Sequence, residues 1–168
     1  MGLLPSQNAC KPSPSRKRHK VSSRKKMCSF EQKERKKLIK ELDKYVSVYV
    51  RYTNSDKQGY ATCYTCGKRL PWRLVDNGHW QSRRYQKTRW DLSNMRVQCR
   101  NCNRYMGGNY QVYTPKIIKE LGEEKAEEIK RLAHSGGKVT TEEMRVMLAD
   151  IKKKLDKETK IRKSKGWV

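Results

Sequence analysis

Cys63-Tyr64-Thr65-Cys66 and Cys99-Arg100-Asn101-Cys102 are two CxxC knuckles with 32 residues between them. Thiolates three positions apart can turn toward one ion. Two such pairs complete the tetrahedral four-sulfur set that zinc prefers, with Zn–S near about 2.3 Å. The intervening segment is rich in Gly, Asn and Arg and poor in large aliphatic residues, so a structural Zn²⁺ held by Cys63, Cys66, Cys99 and Cys102 is expected to serve as its core. Two disulfides are the alternative. They suit a small secreted chain, and the N-terminus does not read as a signal peptide, so zinc is the expectation.

The residues between the knuckles carry chemistry. A strand-like run, Leu70–Val75, leads into Asp76-Asn77-Gly78-His79-Trp80; a basic loop follows, then Arg89-Trp90-Asp91-Leu92-Ser93-Asn94. Met95–Gln98 enters the second knuckle, Asn103 stands directly after Cys102, and Gly107-Gly108-Asn109 comes soon after. A His on a strand, a central Asn and a polar ligand just past a second CxxC resemble the HNH, or ββα-metal, nuclease arrangement. Such chemistry needs a neutral imidazole to take a proton from water and a hard divalent cation to steady the phosphate. Oxygen ligands suit Mg²⁺ or Mn²⁺, whereas thiolates suit zinc.

The strings DNGHW, RWDLSN, QCRNCN, GGNYQVY and IIKELG resemble more narrowly the phage lambda NinG (Rap) recombination proteins. The likeness covers roughly Tyr45 to Leu155. It implies a metal-dependent endonuclease acting on D-loops and Holliday junctions in the cytoplasm of a phage-infected or lysogenic host. The Cys102-Asn103 pair is also similar to phage endonuclease VII, in which an Asn directly after the last cysteine binds the catalytic metal. Many HNH enzymes place a metal-binding Asp immediately before the His, where this chain has Gly78. The local DNGH is similar instead to the DRGH motif of non-specific nucleases. These resemblances imply His79 as general base, with Asn103 and then Asn109 as ligands of a catalytic Mg²⁺ or Mn²⁺. Asp76 is implied to orient His79 or to help hold the metal, and Asn94 to brace the loop through backbone hydrogen bonds. A packed polar His is the plain alternative for His79.

Charge is the other dominant feature. Forty-one Lys and Arg face 17 Asp and Glu, a formal net charge of +24. Such an excess points to a polyanionic partner, nucleic acid ahead of an anionic membrane surface; that the nucleic acid is branched DNA is what the NinG resemblance implies. No apolar run approaches the ~20 residues of a membrane span. The loop after Trp80 interleaves Arg83, Arg84, Lys87 and Arg89 with Tyr85, a composition suited to DNA backbone and exposed bases. The alternative there is a solvated surface loop.

The fold expected is α+β: a small zinc-stabilised HNH-like core flanked by helices, with a disordered basic N-terminal arm. Residues 1–28 form the arm, 29–58 an amphipathic helix and turn, 59–113 the nuclease core and 114–168 the C-terminal helices and basic tail. Lys17, Arg18, Lys25 and Lys26 in the arm are expected to grip phosphates, with Cys10 and Cys28 as free thiols. Ser29 with Gln32 suggests a capping box opening a helix that runs to about Val50, with Tyr45, Tyr49 and Tyr52 on its core face. Thr114-Pro115 suggests a second helix start, interrupted at Gly122 and ended by Ser135-Gly136-Gly137. Thr140 and Glu143 suggest a further capping box, followed by Met144, Met147, Leu148, Ile151 and Leu155 on one face. That face could pack on the domain or on a second subunit, leaving room for a homodimer. From Lys152 the tail is expected to fray. A non-catalytic zinc-containing nucleic-acid-binding protein is the competing function, and the constellation of His79, Asn94 and Asn103 is what such a binder does not need.

Overall fold

A computed structural model describes residues 17–167, with side chains from Phe30 onward. Residues up to Lys36 group apart from Lys37–Val168, which gather into one compact unit. Helix α1 spans Lys17–Thr53. The described backbone from Lys17 to Met27 thus extends the helix into the segment expected to be an arm, and Ser29 lies inside the helix rather than at its cap. The cause is compositional: after Pro14 the chain is rich in Lys and Arg, good helix formers, and has no Gly or Pro before Gly59. The first 16 residues, with Cys10, lie outside the described residues, as do the side chains of Lys17, Arg18, Lys25, Lys26 and Cys28.

Leu42, Val46 and Val50 recur at helical spacing and are buried, and Tyr45 and Tyr49 pack beside them. Strands β1 (Tyr60–Thr62) and β2 (Arg69–Pro71) pair antiparallel, as do β3 (Val75–His79) and β4 (Met95–Cys99). The expected single strand Leu70–Val75 is therefore divided. A one-turn 3-10 segment, Trp72–Leu74, bends the chain between two separate two-stranded sheets. The main core joins Leu42, Val46 and Val50 of α1 to Val75, Met95 and Val97 of the β3–β4 hairpin. Met144, Leu148 and Ile151 of α4 (Thr141–Ser164) complete it.

Helix α2 spans Tyr110–Leu121, so Pro115 sits inside it instead of opening it. Pro115 removes one amide donor, but the carbonyl it would serve belongs to exposed Gln111 and can bind water. Burial of Tyr113 and Ile117 one turn apart draws the helix back past Thr114. Gly122, at φ 83°, separates α2 from α3 (Glu123–His134), where the sequence placed a break. The Thr140–Glu143 capping box is present at the start of α4.

The expected fraying from Lys152 does not occur, because Arg162 is buried. Its guanidinium donates to Ser55 Oγ at 2.9 Å and to the carbonyls of Thr53 and Ser55 at 3.1 Å each. It pairs with Glu158 at 2.7 Å and lies over the Tyr52 ring. The end of α4 is thereby bolted to the C-terminal end of α1. Arg162→Ala strands those acceptors out of water and should lower stability by about 3 kcal/mol. A thermal or urea melt measures this; an unchanged midpoint would show that the contact is dispensable.

Candidate functional site

The two knuckles converge. The sulfurs of Cys63, Cys66, Cys99 and Cys102 lie within 4.8 Å of one another, and none of the four is in a disulfide. Tetrahedral sulfurs about 2.3 Å from a common ion sit about 3.8 Å apart, the separation of Cys66 Sγ and Cys99 Sγ, at 3.8 Å. Burial opposes the Cys63 thiolate, yet hydrogen bonds from Thr65 and from backbone amides bring that thiol down to about 6. At Cys66 a backbone bond near Lys68 pulls the thiol down, but burial and the other three sulfurs prevail and push it up to about 12. Four crowded sulfurs of this kind ionise together only around a cation. The cluster could hold a metal such as zinc, and the donor set and spacing fit it.

This cluster sets the register of the neighbouring groove. Val75 is paired with Cys99, so β3 leaves the knuckle carrying Asp76, Asn77, Gly78 and His79. Beyond Cys102 a wide turn over Asn101–Tyr105 presents Asn103 and Arg104. An open groove of about 490 Å³ is lined by Asp76, Asn77, His79, Asn103 and Arg104. Lys44, Arg51, Arg83 and Arg89 also line it, with Asp43. Five basic side chains against two carboxylates make it electropositive.

His79 Nε2 lies 3.0 Å from the Arg89 carbonyl, which can only accept, and the Asn77 backbone also hydrogen-bonds the ring. The tautomer with the proton on Nε2 serves the Arg89 carbonyl and leaves Nδ1 as acceptor. Burial depresses the His79 pKa; the Arg89 carbonyl opposes this, and nearby Arg83 lowers it further. The imidazole is neutral at neutral pH. Asp76 is an ionised carboxylate. Burial pushes its pKa up, but hydrogen bonds from Arg104 and Asn103 outweigh that. Arg104 donates to its two oxygens at 2.7 and 2.8 Å, and Asn103 Nδ2 at 3.2 Å. Asp76 therefore engages Asn103 and Arg104 rather than orienting the His79 ring.

Asn94 is fully buried behind the groove. Its Oδ1 accepts from Gln81 N at 2.6 Å, and its Nδ2 donates to the Gln81 and Thr88 carbonyls at 2.9 Å each. It closes the Gln81–Thr88 loop and touches no groove-lining acid. Asn109 is not in the groove either; its Nδ2 points to Cys102 Sγ at 3.8 Å. Arg83 and Arg89 both reach Asp43, at 2.7 and 2.6 Å, and Arg89 is mostly buried. Arg84 and Tyr85 contact each other and, with Lys87, line a separate hollow against Gly136, Gly137 and Lys138.

Asp43, Arg51 and Arg104 were missed by sequence reasoning. Asp43 matters most, since it accepts from Arg83, Arg89 and Trp90 Nε1 and so fixes the loop whose carbonyl holds His79. An acid between the core positions Leu42 and Val46 in so basic a chain was the available signal. The structure also explains Gly78. A Cβ there would fall on Gln98 Oε1 and within 2.9 Å of Gln98 Cγ. Gln98 is buried and donates to Thr65 Oγ1 at 3.2 Å and the Gly108 carbonyl at 2.8 Å. An Asp before the His has no room. Gly78→Ala should displace Gln98 and cost about 2 kcal/mol, read as a lowered unfolding midpoint; a wild-type midpoint would mean that Gln98 moves freely.

Among the described residues, no helix is long and apolar enough to cross a membrane. Comparison with known proteins places these features in a family. "Protein ninG" of Escherichia phage 933W is 28% identical over 123 residues, covering 70% of this chain and 56% of that protein. "Protein ninG" of Escherichia phage lambda is 26% identical and that of Salmonella phage P22 27%, each covered over 55% of its length. The chain thus spans about half the length of these curated relatives. No solved structure matches. The model of the bacteriophage lambda NinG protein family matches residues 4–162, and the chain belongs to the NinG family.

Proposed function

We propose that the chain is a metal-dependent endonuclease that hydrolyses phosphodiester bonds in branched recombination intermediates, with an HNH-type site in the groove. One observation carries this reading: a neutral His79, the Asp76 carboxylate and the Asn103 carboxamide share one groove rimmed by guanidinium groups. His79 Nδ1 takes the proton of the attacking water, while Nε2–H stays on the Arg89 carbonyl and keeps the ring aimed. Arg51, Arg83 and Arg104 draw the phosphate backbone into the groove. Asp76 and Asn103 are adjacent, joined through the Asn103 amide nitrogen. The Asp76 carboxylate with Asn103 Oδ1 would supply hard oxygens suited to Mg²⁺ or Mn²⁺ once the amide turns and Arg104 moves to phosphate. Such an ion, when bound, offsets charge growing on the phosphate and the leaving oxygen. Zn²⁺ in the four-cysteine cluster has a structural role.

The competing reading, a zinc-containing protein that binds nucleic acid without cutting it, is favoured by one contact. Arg104 occupies both oxygens of Asp76. Incubating the protein with labelled duplex, single strand, D-loop and four-way junction, with and without Mg²⁺ or Mn²⁺, separates the two. Metal-dependent cleavage of the branched forms is expected; binding without cleavage in either metal supports the second reading.

A further inference from the structure

Nine tyrosines occur in the chain, and eight of them are accounted for by packing. Tyr45 and Tyr49 join the main core, Tyr113 is buried, and Tyr52, Tyr64 and Tyr85 each pair with another ring. Tyr60 lies under Arg69, and Tyr110 packs on Gly108 and reaches the His79 carbonyl. Tyr105 does none of these. At 85% exposure it is the most exposed large hydrophobic side chain among the described residues, and Met106 beside it is 52% exposed.

The backbone that carries this pair is held firmly. Met106 N donates to the Asn101 carbonyl, Gly108 N to the Cys102 carbonyl and Asn109 N to the Met106 carbonyl, each at 2.9 Å. The tip is thus an outgrowth of the second knuckle, directly following Asn103 and Arg104 of the groove. Exposed Arg100 and Arg104 precede it in sequence. An exposed aromatic on a hydrogen-bonded turn next to cations suits a flat, unpaired base on a phosphate chain. Stacking on it adds contact without ordering a loop, and the Arg charges hold the adjoining phosphates.

We propose that Tyr105, with Met106 beside it, is a stacking platform for an unpaired nucleobase at a DNA branch point, and thereby selects branched over fully paired DNA. This deepens the nuclease reading and rests on its nucleic-acid partner, but not on cleavage. The interior of a duplex offers no free base face, so away from duplex ends the contact is made only where pairing is broken.

The test measures equilibrium binding of the full chain without added Mg²⁺ or Mn²⁺, so that cleavage plays no part. The probe DNAs are a blunt duplex and a flapped duplex with 2-aminopurine as the first unpaired base. Wild type and Tyr105→Phe should quench the probe. Tyr105→Ala should lose the quenching and bind the flapped DNA about tenfold more weakly, with duplex affinity within about twofold. Equal quenching by Tyr105→Ala, or equal weakening on both DNAs, overturns the proposal. If the protein never cuts DNA yet quenches through Tyr105, the nuclease reading fails and the platform stands. If it cuts branched DNA and Tyr105→Ala still quenches, the platform fails alone.

Discussion

Replacing His79 by Ala is expected to slow phosphodiester cleavage by about 10²–10⁴-fold, the usual worth of a positioned general base, while DNA affinity holds. Affinity should survive because the proposed phosphate contacts are those of the Arg rim, and the ring bonds the backbone at Arg89 and Asn77 rather than a basic side chain. The pH dependence has a definite sign. Burial, the largest cause, lowers the His79 pKa below its ordinary value. The neutral base is therefore present above that lowered pKa and lost as pH falls through it. Cleavage should rise with pH to a plateau, with its midpoint below about 6.5. A single-turnover pH profile at fixed metal measures this. A midpoint well above 6.5, or no effect of His79→Ala, would remove His79 from the chemistry. Partial rescue of the Ala variant by imidazole would mark the lost group as a proton acceptor.

Cys99→Ser should have the other large effect. Structural zinc sites contribute on the order of 10 kcal/mol or more, comparable with the whole ~5–15 kcal/mol stability of a domain. The knuckle region has little else: among the described residues Cys63, Cys99 and Cys102 form their own small cluster, with Leu70 as the one partly buried hydrophobic packed against it. Loss of one sulfur should abolish zinc retention and unfold the knuckles. The damage should spread to the groove, because β3 is registered on Cys99 and Asn103 follows Cys102. Metal analysis and a thermal melt check this. Wild-type protein without zinc, or a Cys99→Ser protein with a wild-type melt, would show that the cluster is not the metal-dependent core.

Local signals were legible where one residue type admits few uses. Two CxxC pairs announce a four-sulfur cluster, Gly122 breaks a helix, and Thr140 with Glu143 opens one. The buried Asn94 could be placed as a loop brace because an amide between a strand and a loop has two sides to bond. Long-range charge pairing was not legible. Asp43 joins Arg83, Arg89 and Trp90 from 40 or more positions away in sequence, and no local pattern says which arginine in a chain of +24 turns inward. Arg162 is the same case at the other end, a basic residue in a basic tail whose burial depends on acceptors at Thr53 and Ser55. The split of Leu70–Val75 into two sheets was missed although Pro71, which caps the 3-10 turn, was its signal, since Pro interrupts a strand's hydrogen bonding.

The central claim is that this groove cuts DNA. Its most direct test compares single-turnover cleavage of a labelled four-way junction in Mg²⁺ or Mn²⁺ by wild type, His79→Ala and Asn103→Ala, at matched zinc content and matched DNA binding. Wild type should cut, and both variants should bind the junction without cutting it. Wild-type rates from both variants, or no cleavage by any of the three, would contradict the claim.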